Sequence, residues 1–325
     1  MHCPAPPAEV ALILRKTLLW LSSQPRIWRF VRTNRLVRSV ASRFVAGESP
    51  DSAVAAAVTL MGKGITTSLD VLGESVSEAP AAEAAAAEYH TVLDRMAAAK
   101  VEVNVSVKPT QMGLDLDPAL CERNLRCIID RARALKGFVR LDMESSAYTQ
   151  RTLELFERMR PDADGGVGVV IQAALRRSTG DVERLITRSA RVRLCKGAYL
   201  EPAAVAYSDK TDVDAHYQRL MERLLAAGNY PGIATHDERL IRHAQRFAES
   251  NGIGRERFEF QMLYGVRRDL QDQLRSAGWN VRVYVPFGTQ WYPYLMRRLA
   301  ERPANIAFIL GSVIREGVSR KSIPN

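Results

Sequence analysis

Residues 102–143 read EVNVSVKPTQMGLDLDPALCERNLRCIIDRARALKGFVRLDM. Two short β-prone runs, Glu102–Val107 and Phe138–Met143, enclose Pro118–Leu135, whose apolar residues fall at helical spacing. Strand, helix and strand in that order predict a parallel pair joined by a crossover. Outward from this unit the texture repeats. Thr66–Leu72 precedes it, and Gly168–Gln172, Val192–Cys195, Ile233–Thr235, Phe258–Met262 and Val281–Val285 follow, with room for a helix in each interval. Asp212–Ala227 is one such helical stretch. Eight units predict an α/β fold of the (βα)8 TIM-like barrel type, which needs about 250 residues. An open doubly wound sheet is the alternative on pattern alone. It normally carries a nucleotide fingerprint, but no GxGxxG follows a strand here, and Gly62-Lys63-Gly64 lacks the spacing of a phosphate loop.

Composition narrows the class. The 325 residues are 46% hydrophobic and 25% charged, which excludes disorder. The net charge of +10 is uneven: residues 1–50 hold eight basic and two acidic side chains, so the remaining 275 carry only +4. A basic arm on a nearly balanced body speaks against a nucleic-acid protein. Two parts are expected, a basic N-terminal helical arm over 1–50 and a catalytic barrel over 51–325. Residues 9–46 read as helix interrupted at Pro25, and Asp51 or Ser52 is expected to cap a helix Ala53–Met61. Four cysteines without a CxxC pair predict reduced thiols and a cytoplasmic location. No apolar run is long enough to cross a membrane.

In such a barrel the functional side chains come from the C-terminal ends of the strands. Those ends carry Glu74, Lys108, Asp142 and Glu144, Gln172, Arg193 and Lys196 with Gly197-Ala198-Tyr199, Thr235-His236-Asp237, Gln261 and Tyr284. After the last strand, a helix is expected from Pro293. Tyr294, Arg297, Arg298 and Glu301 then share one face. Paired guanidinium forks suit a carboxylate or phosphate; a solvated face with Glu301 paired to an arginine is the plainer reading. His236 could equally be a satisfied imidazole, and with five histidines and no HExxH no metal site is expected.

The stretches VSVKPTQMG, VRLDMESS, VVIQAALRR, VRLCKGAY, GIATHD, FEFQMLYG, RVYVPFG and YLMRRLAER, from about residue 60 to 305, resemble the proline dehydrogenase family in order and spacing. LYGVRRDL and the short length resemble its monofunctional bacterial members, and no aldehyde dehydrogenase half is expected. The resemblance implies a distorted (βα)8 barrel holding FAD non-covalently, with the last helix over the mouth. It implies oxidation of L-proline to Δ1-pyrroline-5-carboxylate by hydride transfer to flavin N5, the first step of proline catabolism, with electrons passed to a quinone. Lys108, Arg297 and Arg298 resemble the ligands of the proline carboxylate, and Asp142 the acid beside Lys108 that keeps it placed and charged. Tyr284, Tyr294 and Leu263 resemble residues walling the proline ring, with Glu301 supporting the arginines and Glu74 closing a gate. Gln172, Arg193, Lys196, Gly197, Ala198, Thr235 and His236 resemble flavin-binding positions, Arg193 as a donor near N5.

The residues leave a second enzyme reading, a Schiff-base lyase or aldolase barrel with Lys108 or Lys196 as nucleophile, which needs a lysine of depressed pKa. A third reading is a non-enzymatic module whose basic arm binds nucleic acid. In the arm, Arg26, Arg29, Arg32 and Arg35 alternate with Ile27, Trp28, Phe30, Val31 and Leu36. That pattern fits either a helix packed on the barrel or a peripheral contact with the anionic inner face of the cell membrane.

Overall fold

The computed structural model describes residues 41–163 and 165–301, and of residues 162, 163 and 297–301 the backbone alone. Residues 1–40, which make up most of the expected arm, lie outside the described residues. Strands β1 Thr66–Val71, β2 Asn104–Val107, β3 Phe138–Leu141, β4 Val167–Gln172, β5 Arg191–Cys195, β6 Gly232–Ala234, β7 Glu259–Leu263 and β8 Val281–Phe287 form a closed parallel barrel. Each pairs with the next in sequence, and β8 closes on β1 with Tyr284 beside Ser68. The closed order excludes the open doubly wound sheet.

Helices fill the intervals. They are α1 Pro50–Met61, α2 Ala79–Ala98, α3 Pro118–Ala134, α4 Ser146–Met159, α5 Ser178–Thr187, α6 Lys210–Ala227, α7 Glu238–Ser250, α8 Arg268–Ser276 and α9 Trp291–Glu301. Two expected starts differ. The cap of α1 is Ser49, in a reciprocal box with Ser52, because Pro50 has the fixed φ suited to the first helical position. Helix α9 begins at Trp291 and not Pro293, since a proline in the first turn gives up an N–H that has no helical partner there anyway. Among the described residues no helix is long and apolar enough to cross a membrane.

The strands are buried on both faces, yet most of them alternate apolar with polar residues. Leu69, Val71, Val105, Val107, Val139, Leu141, Val192, Leu194, Phe260, Met262, Val283 and Val285 belong to the apolar core with the helices. The alternate set holds Ser68, Asp70, Asn104, Ser106, Arg140, Arg193, Glu259, Gln261 and Arg282, all buried. A strand's side chains point to opposite faces in turn, so this polar set fills the barrel. Hydrogen bonds across the lumen agree: Arg193 of β5 donates to Ser106 of β2 at 3.1 Å. Barrels of this class are usually filled by branched aliphatics; here the aliphatics face the helices.

A polar lumen is stable only when its groups are paired. Tyr89 of α2 is fully buried and serves both sides of that requirement. Its hydroxyl donates to Ser106 O at 2.6 Å and accepts from Val71 N at 3.3 Å, tying the helix to β1 and β2. Removing the hydroxyl leaves a carbonyl and an N–H unsatisfied. Tyr89→Phe should therefore lower unfolding free energy by about 1–3 kcal/mol in urea titrations, with the slope unchanged.

Candidate active site

At the C-terminal end of the lumen, five ionisable side chains from five strands or their ends meet in one network. Lys108, one residue past β2, donates from Nζ to Asp70 Oδ1 of β1 at 2.7 Å. The same ammonium lies 3.5 Å from the Tyr284 hydroxyl of β8. Tyr284 donates to Asp142 Oδ2 at 2.9 Å, and Arg193 Nη1 donates to Asp142 Oδ1 at 2.8 Å. Because the Tyr284 proton is committed to Asp142, its oxygen can accept from Lys108. The Arg193 guanidinium lies 5.2 Å from the Tyr284 ring centroid. It is completed by Ser106 and by Gln261 Oε1, which accepts from Nε.

Charge sets the protonation states. Burial pulls the Lys108 pKa down, but Asp70, Asp142 and Glu74 more than restore it, so it stands above the ordinary lysine value. Burial pushes Asp70 up, partly opposed by Lys108. With three carboxylates facing the ammonium, the proton of the pair stays on Lys108. Tyr284 is driven far above the usual phenol range by burial and by Asp142 and Asp70, and so stays protonated. A charged, ion-paired Lys108 is the opposite of what a Schiff-base nucleophile needs.

The geometry adds a second acid to the one expected beside Lys108. The carboxylate bonded to Lys108 is Asp70; Asp142 acts on it by charge across Tyr284 and spends its own bonds on Arg193 and Tyr284. Asp70 is the penultimate residue of β1, so it sits deeper than Lys108 and Asp142, which follow the ends of β2 and β3.

The β4–β6 side of the mouth carries a second set. Gln172, at the end of β4, donates from Nε2 to Glu144 O at 2.6 Å. Gly197 has φ +105°, and a Cβ there would lie 2.9 Å from Gln172 Oε1, so only glycine lets the loop after β5 approach this amide. Ala198 follows it, half-buried. Lys196 is held by Asp214 and, at 3.4 Å, by Asp237. Thr235 is buried and accepts from Asp237 N at 3.1 Å, shaping the turn into α7. His236 Nε2 accepts from Leu263 N at 2.9 Å, which places its neutral-form proton on Nδ1. Leu263 ends β7 beside Tyr284, and Glu74 is half-buried on the loop after β1.

Tyr294 is buried on α9. Arg297, Arg298 and Glu301 lie on the same helix, with their side chains outside the described residues. Asp70, Ser106 and Gln261 complete the network without having been assigned roles in it. Their signal was the polar alternation of TTSLDV, NVSV and EFQML.

This architecture has close relatives. Residues 53–310 match the family model described as proline dehydrogenase. The proline dehydrogenase of Deinococcus radiodurans is 42% identical over 307 residues, spanning 93% of this chain and 98% of the relative. Proline dehydrogenase 1 of Bacillus subtilis is 37% identical over 304 residues, spanning 94% of this chain and all of the relative (100%). The crystal structure of proline utilization A (PutA) from Bdellovibrio bacteriovorus, inactivated by N-propargylglycine, aligns with a TM-score of 0.78 at 25% identity, over 94% of this chain and 38% of that one. With a family model and relatives of this identity spanning most of its length, the chain belongs to the proline dehydrogenase family and is an oxidoreductase of proline catabolism.

Proposed function

We propose that the protein oxidises L-proline to Δ1-pyrroline-5-carboxylate with FAD and hands the electrons to a quinone. Proline oxidation follows from the family. The observation that supports the finer reading is the Asp70–Lys108–Tyr284–Asp142–Arg193 network, which fixes two cations at one mouth while keeping Lys108 protonated.

The residues present fit a flavin dinucleotide. Gly197 lets the loop after β5 close against Gln172, and the same strand and its end carry the cations Arg193 and Lys196, a donor set suited to an anionic dinucleotide. Gln172, Arg193, Lys196, Gly197, Ala198, Thr235 and His236 would hold the cofactor, which supplies a hydride acceptor when bound. Lys108, with Arg297 and Arg298, grips the proline carboxylate. This anchoring would orient the substrate for transfer to the acceptor. Tyr284, Tyr294 and Leu263 wall the ring, and Tyr284 does so as a neutral phenol. Arg193 offers positive charge where negative charge accumulates on the reduced cofactor. Glu74 closes over the mouth, and Glu301 supports the arginine pair. Residues 51–325 act as the catalytic barrel. Residues 1–50 act as a basic arm on the anionic inner face of the cell membrane, near the quinone.

Three outcomes test this reading. Purified protein should be yellow, and its absorbance near about 450 nm should bleach anaerobically with L-proline; colourless protein that turns over proline would refute the flavin. Asp70→Asn removes the carboxylate bonded to Lys108, so the lysine pKa falls. The proline KM should rise about tenfold at neutral pH. Its alkaline rise should also begin at lower pH than in wild type, where kcat/KM climbs with loss of the substrate's ammonium proton. An unchanged alkaline limb would separate Lys108 from carboxylate binding. Finally, deletion of residues 1–45 should abolish flotation with anionic liposomes; equal flotation would remove the membrane role of the arm.

A further inference from the structure

Beneath Arg193 a chain of buried polar groups runs toward the other end of the barrel. Arg193 Nε donates to Gln261 Oε1. Gln261 Nε2 donates to Glu259 Oε1 at 2.5 Å, and Glu259 Oε1 also accepts from Arg282 Nε at 2.7 Å. Arg282 continues to Glu102 Oε1 at 2.9 Å and to Thr67 O at 2.8 Å. Arg193, Gln261, Glu259 and Arg282 are each at most 6% exposed. Burial pushes Glu259 up, but Arg282, Gln261 and Arg140 together outweigh it and hold the carboxyl below its ordinary value, so it is ionised.

This order admits one orientation of the Gln261 amide. An ionised carboxylate can only accept and a guanidinium can only donate. The amide NH2 must therefore face Glu259 and its oxygen must face Arg193. Flipping it would set acceptor against acceptor below and donor against donor above. Room for the amide comes from Gly232 on the neighbouring strand, where a Cβ would collide with Gln261 Nε2. Arg193 then has Nε committed to Gln261, Nη1 to Asp142 and Nη2 to Ser106, three acceptors on three sides of one plane.

We infer that Gln261 is a positioning residue for Arg193, and that Glu259 locks its amide so that the guanidinium plane is held in one orientation at the mouth. The inference rests on the proposed flavin reading, since Arg193 is taken as the cation facing the reduced cofactor. Both ends of the Gln261 amide are spent on Arg193 and Glu259. Its effect passes through Arg193, whose charge must be in place before negative charge develops.

The test uses full-length holoprotein. Gln261→Met keeps length and volume but removes the acceptor for Nε. Proline-driven bleaching should slow about tenfold with the proline KM within twofold. The flavin midpoint potential should move negative, because the reduced form loses a fixed cation. As a control, Asn124→Leu removes a buried side-chain bond of α3 to Met112 O, remote from the network. It should lower thermal stability while leaving bleaching rate and potential unchanged. A second variant guards against misfolding: Gln261→Glu combined with Glu259→Gln exchanges the two side chains, keeping an acceptor for Arg193 Nε and a single carboxylate between the two strand positions. It should regain the thermal stability lost by Gln261→Glu alone, with the potential still negative of wild type. Unchanged bleaching rate and potential in Gln261→Met would overturn the inference, as would an exchange no more stable than Gln261→Glu. If wild-type protein carries no flavin that proline bleaches, the functional reading fails instead, which is a separate result.

Discussion

Asp142 joins three strands of the barrel through two bonds, from Arg193 and from Tyr284. Much of the mouth depends on this carboxylate. It fixes the Tyr284 proton, which leaves that oxygen able to accept from Lys108. It anchors Arg193, whose remaining bonds reach Ser106 and Gln261. Its charge also helps keep Lys108 protonated at a distance. An unpaired charge in so enclosed a position would cost several kcal/mol. The network is therefore held as a unit, with its members fixed by mutual need for partners.

The same requirement extends down the lumen. Apolar fillers would have packed more simply, yet an apolar lumen could not hold guanidinium groups at defined angles. The polar column does so because each acceptor-only carboxylate and donor-only arginine limits its neighbours' choices. Helices take over the hydrophobic role. Tyr89 of α2 and the aliphatic set facing α1–α8 place the core between the barrel and its outer layer. The rigid wall formed in this way carries the charged mouth, and the two functions occupy opposite faces of the same strands.

Much of this was legible beforehand. Eight β-prone runs corresponded to eight strands within one or two residues at each end, since strands of alternating type announce themselves locally. The family motifs drew Lys108, Asp142, Arg193 and Tyr284 to one rim, and those side chains do meet there. The second acid beside Lys108 was not legible. The resemblance set Asp142 beside Lys108 and named no role for Asp70. Asp70 supplies the bond because it pairs with Ser106, and Lys108, two residues beyond Ser106 on the same face of β2, reaches back to it. The start of α1 at Pro50 was missed because Ser49, Asp51 and Ser52 are all competent caps, and the choice among them depends on the φ that proline imposes.

What the sequence by itself determined was the alternation of strands and helices, the period-2 separation of apolar from polar side chains, and the chemical types available at the mouth. These are local properties, written in spacing and residue identity. Only the tertiary structure decided which donor meets which acceptor. Closure of β8 on β1, and the register that puts Tyr284 beside Ser68 and Leu263, bring residues more than a hundred positions apart within hydrogen-bond range. Pairing across a lumen depends on strand stagger and barrel closure, and no local pattern encodes either.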